Sequence, residues 1–314
     1  RIGETLPPEV RLPLERLGVW DRFQDGGHLP SPGIVAAWGG PEPYANDFIL
    51  NPYGCGWRVD RNRFDSMLAA AAEQAGATLL THAVARRCAR APDGGWRLEV
   101  TREDESWEVS AAFVVDATGR TSSFCRSLGG RRVVHDRLVA LVGVAASALD
   151  APFDQRALIE ATEDGWWYSG ALPDGRLVVA FHTDPAPRLR DRWTRYLAAA
   201  PETTARVGDT SGEIRIVSAN SHRTDPLAAE AWLSVGDAGT AHDPLTGLGI
   251  HWALESGIAG AEAVLAALAG VGSATSAYGR AREQAFAQYL AARALYYRAE
   301  NRWPHTLFWR RRRS

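Results

Sequence analysis

Apolar residues along the chain repeat every three to four positions in some stretches and every second position in others, and the switches between these periods predict the element order. PPEVRLPLERL (7–17) reads as a short helix opened by paired prolines and stopped at Gly18. Residues 19–56, rich in glycine, proline and aromatics, read as loops and short strands. In WRVDRNRFDSMLAAAAEQAGA (57–77), Asp60 suits an N-cap, while Phe64, Met67, Leu68, Ala71 and Ala75 keep helical spacing and Gly76 stands at the helix stop. Three β-like runs follow, TLLTHAVARRCAR, GWRLEV and WEVSA, separated by the turns APDGG and REDES, and FVVDAT (113–118) then reads as a buried strand.

From Arg131 to Ile216 strand patterns dominate, in LVALVGVAA, RALIEAT, WWYSGAL and RLVVAFHT, with a helix near Arg190 to Leu197; an antiparallel sheet domain is expected. WLSVGDA is another buried strand. The loop GTAHDPLTGLG leads from it into a helix of small residues over about 250–270, and a second helix covers about 275–298. The closing WRRRRS reads as a solvated, disordered end. No internal repeat or low-complexity linker separates these parts, so the expected class is mixed α/β with interleaved domains.

Composition narrows the function. With 314 residues, 46% hydrophobic and 23% charged, the chain can bury a sizeable core, and a net charge of -2 gives no general pull toward nucleic acid. Cys55, Cys88 and Cys125 form no CxxC or CxxH pair, so neither a metal cluster nor a disulfide framework is expected, and all three read as buried small hydrophobes. His82, His135 and His182 show no metal-site spacing. No apolar run approaches the roughly 18 residues of a membrane span and no signal peptide is visible, which makes a cytoplasmic protein the default. All 35 residues counted as Lys or Arg are arginines.

The candidate chemistry lies in two strand exits. In Gly236–His251 a buried strand ends in Gly-Asp, a glycine-bearing loop follows, and a helix begins; such a helix start offers free N–H groups and partial positive charge to an anion or an electron-rich carbonyl. Gly247 and Gly249 allow close approach of a flat ligand, and Asp237 can accept hydrogen bonds from sugar-like hydroxyls. An ordinary strand-to-helix turn with a capping Asp would look the same from this loop alone. FVVDATGRTS (113–122) is the second exit, with Asp116, Gly119, Arg120 and Ser122.

Together, DATGRTS at 116–122 and GDAGTAHDPLTGLGI at 236–250 resemble the glutathione-reductase-type flavoproteins, and within them the flavin monooxygenases, flavin halogenases and geranylgeranyl-type reductases. RIGETLPP, the 57–77 helix and YRAENRWPHTLFW (297–309) resemble the same family, so the likeness covers nearly the whole chain. The family's N-terminal GxGxxG unit is absent, which leads to the expectation of upstream truncation and of weak or no FAD binding. The resemblance implies an FAD-binding domain of residues 1–18, 51–130 and 225–270, a substrate-binding sheet domain of 19–50 and 131–224, and a C-terminal helical segment 271–314. It also implies FAD as cofactor, with NAD(P)H or a separate flavin reductase as electron source. Asp237 would contact the ribityl chain, and Gly236, Pro244, Gly247, Leu248, Gly249 and Ile250 would face the flavin. Arg1 and Glu4 would lie near the ribose and flavin side, Val84 beside the adenine, and Asp116 with Gly119 in the pyrophosphate region.

Flavin halogenases depend on a lysine that engages hypohalous acid, placed after the first dinucleotide unit, and on a Trp-x-Trp-x-Ile-Pro stretch. This chain has no lysine, and its nearest segment is GWWYSGALP (165–173), which disfavours halogenation. A monooxygenase working through a flavin hydroperoxide needs shape, dryness and electrostatics more than acid–base groups. Among 12 tryptophans, Trp38, Trp57, Trp166, Trp167 and Trp252, with Tyr168, are the candidates for its pocket, core packing being the plain alternative. His242, Asp243 and His251 are candidates to orient a substrate hydroxyl or indole nitrogen, against a capping or solvent-facing role. GCGWRVDRNRFD, the 166–184 strand pair and ENRWPHTLFW also resemble the maturases that oxidise a residue of a partner amine oxidase. The expected substrate is therefore an aromatic small molecule or a partner-protein Trp, with flavin-dependent reduction and a non-catalytic fragment as alternatives.

Overall fold

The structure, a computed structural model, describes residues 4–148 and 155–313. Its largest layer is a seven-stranded sheet in the order 207–218, 139–147, 177–183, 165–171, 157–162, 33–37, 44–47. All neighbours are antiparallel except 33–37 and 157–162. This is the expected antiparallel sheet, extended at one edge by two strands from the region 19–56.

The sheet is covered on both faces, and the period-two alternation of side chains sorts its residues between them. Trp166, Val178, Ala180, Ala140 and Val142 face one way, toward Trp38, Tyr297, Phe308 and Trp309. Trp167, Val179, Phe181 and Leu141 face the other, toward Trp193 and Tyr196 of the helix Trp193–Ala198. Strand Leu177–Thr183 is buried at every position, which explains the apolar run Leu177 to Phe181.

A second region is built from small sheets. Val114–Asp116 runs parallel to Trp232–Ser234, with Val114 paired to Trp232, 118 positions further along the chain; this pairing brings the two strand exits side by side. The strands Val84–Arg90, Trp96–Arg102 and Glu105–Ala111 form an antiparallel meander, beginning later than the predicted run at Thr78. Glu4–Leu6 and Leu29–Ser31 flank Gly56–Val59. The helix Arg61–Gln74 starts at Asp60, whose carboxylate accepts from the N–H groups of Asn62 and Arg63, and Gly76 takes a left-handed φ of 97° just past its end. The region 19–56 also contains a short helix, Trp20–Gln24, seated by Phe23 in an aromatic cluster.

The helix Gly249–Leu268 packs on Ala274–Ala299, whose buried residues Tyr278, Phe286, Tyr289, Arg293 and Tyr297 recur at helical spacing. None of the described helices is long and apolar enough to cross a membrane.

Three expectations are corrected here. FVVDAT is not uniformly buried: Val115 is 45% exposed, because its strand lies at the edge of a three-stranded sheet. Of the cysteines only Cys125 is buried, Cys55 and Cys88 being half-buried. The arginine tail is anchored rather than solvated: Arg312 is 1% exposed, reaches Asp184 at 2.7 Å and the Phe308 carbonyl at 2.9 Å, and lies over the Phe308 ring, while Trp309 donates to the Thr162 carbonyl. A terminal charge cluster can bury itself when an acid waits at the rim of the sheet. Replacing Arg312 with Ala should accordingly cost about 3 kcal/mol, whereas Arg310→Ala should stay within roughly 0.5 kcal/mol; equal effects in urea denaturation would show that the tail is not anchored through Asp184.

Candidate functional site

The two strand exits are locked together by one guanidinium. Arg120 donates to the carbonyls of Asn220 (2.6 Å) and His242 (2.9 Å), and its Nε lies 3.3 Å from the Asp237 carboxylate. Ser122, in the left-handed region at φ 47°, donates from its hydroxyl to the Ala238 carbonyl. Asp116 turns inward, accepting from the Thr118 N–H and hydroxyl and from the Cys125 N–H. Its carboxylate therefore shapes the turn in the segment that the resemblance places near a pyrophosphate.

Next to this junction a cavity of about 570 Å³ opens between the sheet face and the start of the helix Gly249–Leu268. Gly119, Gly236, Asp237, Pro244, Gly247, Gly249 and Ile250 line one side; Ala140, Val142, Trp166, Tyr168, Val178 and His182 line the other. A Cβ built on Gly119, Gly247 or Gly249 would meet nothing within 4 Å, so open space lies where a flat group must slide against the backbone. The cavity size, the helix start and the half-buried Asp237 suit the isoalloxazine and ribityl portion of a flavin. Burial raises the Asp237 carboxyl above its usual range, with Arg120 and then Arg61 opposing.

The loop 244–248 separates this cavity from a groove of about 540 Å³ running beside helix Ala274–Ala299. Trp38, Leu248, Trp252, Phe286 and Tyr289 contribute to its walls, and His242 lines both spaces. The His242 ring lies 4.0 Å from that of Trp252 and meets Tyr289 edge-on. Burial, then Arg120, pushes its pKa down to about 3, so it is a neutral hydrogen-bonding group at ordinary pH.

Behind the loop lies a buried polar network. Trp166 Nε1 donates to the Tyr297 hydroxyl, which donates to Asp243 Oδ2; Asp243 Oδ1 accepts from the Leu245 N–H, and the Asp243 N–H reaches the Tyr289 hydroxyl. Tyr289 also bonds Ser221, which Arg293 joins to Asp136. Burial raises the Asp243 carboxyl despite the Leu245 N–H. Asp136, which burial also acts to raise, is instead held low by Arg293 and the N–H groups of Leu138 and Ser221.

The remaining candidates fall elsewhere. His251 lies half-buried on the first turn of its helix and lines neither space; burial lowers its pKa, with Glu255 and Glu9 opposing. Trp167 belongs to the opposite sheet face because it neighbours Trp166 in one strand, and Trp57 packs with Trp20 and Phe23. Val84 is 47% exposed at the start of the meander, away from both spaces. Glu4 begins the strand paired to Val59, and Arg1 lies outside the described residues. Thr5, Arg61, Arg120 and His182 also line the cavity but were not singled out as site residues. Arg120 sits inside the DATGRTS motif, and the polar residues Tyr289, Arg293 and Tyr297 at core helical spacing were a legible sign of a buried network. Asp136 gave none. Among the described residues no cluster of three His, Cys, Asp or Glu could hold a metal ion.

The profile of the tryptophan halogenase family matches residues 40–314, most of the chain. The chain belongs to that family. It is 27% identical over 328 residues to LodB of Marinomonas mediterranea, assigned as an FAD-dependent oxidoreductase, covering 100% of this chain and 87% of that protein. Its fold matches CmlS, a flavin-dependent halogenase, with a TM-score of 0.88 at 25% identity, over 100% of this chain and 61% of that one. It also matches the peptidyl tryptophan dihydroxylase QhpG with a TM-score of 0.81 at 22% identity, over 100% of this chain and 70% of QhpG. The mixed α/β architecture is thus that of the flavin halogenases and their relatives, and family membership implies FAD as the cofactor.

Three buried histidines give the family member a pH signature. His182, stacked on Trp166 at 3.7 Å, is pushed to about 3 by burial, and His222 to about 4 by burial and then Arg120, alongside His242. A depressed folded pKa means that stability is full above the unfolded value near 6.5 and is lost as pH falls from there toward 3 or 4, at roughly 1.4 kcal/mol per pH unit for each histidine. Asp237 and Asp243, raised by burial, act in the opposite sense below neutrality. The decisive comparison is therefore the slope of unfolding free energy between pH 6 and 4.5: His182→Phe, which keeps a ring on Trp166, should flatten it by roughly 1.4 kcal/mol per unit. An unchanged slope would mean that His182 is not held neutral.

Proposed function

We propose that this member of the tryptophan halogenase family is an FAD-dependent monooxygenase that hydroxylates an aromatic substrate. The observation that carries the reading is the absence of lysine from the entire sequence: neither the flavin cavity nor the groove holds the primary amine that engages hypohalous acid. Bound at the glycine-lined cavity, reduced FAD would supply an electrophilic oxygen from dioxygen. Reducing equivalents would come from NAD(P)H or a separate flavin reductase.

The protein's own residues have separable tasks. Gly247 and Gly249 leave room for the ring system, and the N–H groups of the helix start favour negative charge at its pyrimidine edge. Val142, Val178 and Ala180 exclude water on the sheet side. Trp38, Trp252, Phe286 and Tyr289 give the groove aromatic walls, which suit a ring better than an isoprenoid chain. Neutral His242, lining both spaces, can accept a proton-bearing O–H or N–H of the substrate and aim the ring at the loop. Tyr297 and Leu245 hold the Asp243 carboxylate away from the substrate, so Asp243 positions the loop and its expected direct role is not part of this reading.

The test is reconstitution of the purified protein with FAD, a reductant and indole or phenol substrates under isotopically labelled dioxygen, with chloride and bromide present. One labelled oxygen per product is expected, and a halogenated product, or failure to bind flavin, would sink the proposal. His242→Phe should keep a ring against Trp252 while lowering kcat/KM about tenfold, the loss of one hydrogen bond. The parent should show no rate inflection near pH 6.5 traceable to His242.

A further inference from the structure

Arg282 is a charge that hydroxylation of a bare aromatic ring does not need. It is the one charged side chain among the described groove-lining residues, and no Asp or Glu joins it there. Its Nε is fully enclosed with no hydrogen-bond partner. Arg58, Arg293, Arg312 and Arg313 share that orphaned Nε, yet each places terminal nitrogens on a hydroxyl, carbonyl or carboxylate. Among the described residues Arg282 has no such bond and no ion pair. A half-buried guanidinium with nothing to bind, in an acid-free groove, is arranged to meet an anion from outside.

Helical spacing says where the rest of that anion would lie. Phe286 is four residues on from Arg282 and Tyr289 seven, on the same groove-facing stripe, which continues to Tyr296 for a total of about 21 Å. His242, tilted against Trp252, contacts both Phe286 and Tyr289. A carboxylate held on Arg282 therefore leaves an aromatic ring one helical turn away, about 5.4 Å, against the cluster that also borders the flavin cavity. The groove volume of about 540 Å³ is that of a small-molecule site.

We propose that Arg282 anchors the carboxylate of the substrate, which makes the substrate a free aromatic acid and not a neutral ring or an internal residue of a polypeptide. The inference rests on the reading of the groove as the substrate site. N-acetyl-L-tryptophan and N-acetyl-L-tryptophanamide differ only in that carboxylate, the second imitating a residue within a chain. Calorimetric titration of the whole protein should give at least tenfold tighter binding of the acid. In Arg282→Gln the preference should vanish while the amide binds as before, and Arg282→Lys should restore part of it. Equal affinities, tighter binding of the amide, no binding of either probe at millimolar concentration, or a preference that survives Arg282→Gln would each overturn the proposal. Because binding is read without turnover, charge-selective binding in a protein that inserts no oxygen would refute the hydroxylase reading and leave the anchor standing; oxygen insertion into neutral rings, unaffected by Arg282→Gln, would do the reverse.

Discussion

The site depends on Arg120. Its guanidinium touches the end of the large sheet through Asn220, the loop between cavity and groove through His242, and the turn after Trp232–Ser234 through Asp237. Three regions far apart in sequence are thereby held at one point, and each acceptor is a carbonyl or carboxylate that would otherwise lack this partner. A planar guanidinium with several donors in fixed directions can do this, whereas an ammonium group concentrates its donors at one point. The same charge helps keep His222 and His242 neutral, so one residue sets both the geometry and the protonation of the site.

The elements with strong periodicity were legible in sequence, and so was the pairing of two glycine-bearing strand exits. Asp60 capped its helix, the two long C-terminal helices began within a residue of their predicted starts, and Gly119, Gly236, Asp237, Gly247 and Gly249 assembled around one cavity. What failed did so for geometric reasons. Trp166 and Trp167 are adjacent in a strand and so cannot face the same space, a rule available from the sequence once the segment is read as a strand. The inward turn of Asp116, whose two oxygens are taken by Thr118 and Cys125, has no local sequence signal that separates it from a strand-end acid facing outward. The burial of Arg312 depends on Asp184, 128 residues away, and no local pattern carries such a pairing.

The buried network behind the loop explains why so much polarity sits in an otherwise aromatic core. Every link from Trp166 through Tyr297, Asp243, Tyr289 and Ser221 to Arg293 and Asp136 uses a donor facing an acceptor, which is the condition under which buried polar groups fix a conformation without a large penalty. The network ties helix Ala274–Ala299 to the loop and to the sheet, so the groove wall and the cavity wall belong to one connected structure.

The loop 244–248 is a partition one chain thick with a binding space on either side. Two occupants that share such a wall are thermodynamically linked: whatever factor a bound flavin contributes to the affinity of the groove for its ligand, the groove ligand must contribute to the affinity for flavin. With a cofactor in one space and a substrate in the other, as proposed, affinity for each would be a property of the pair, reciprocal by necessity, and the thinness of Pro244 to Leu248 would make the exchange between them short-range.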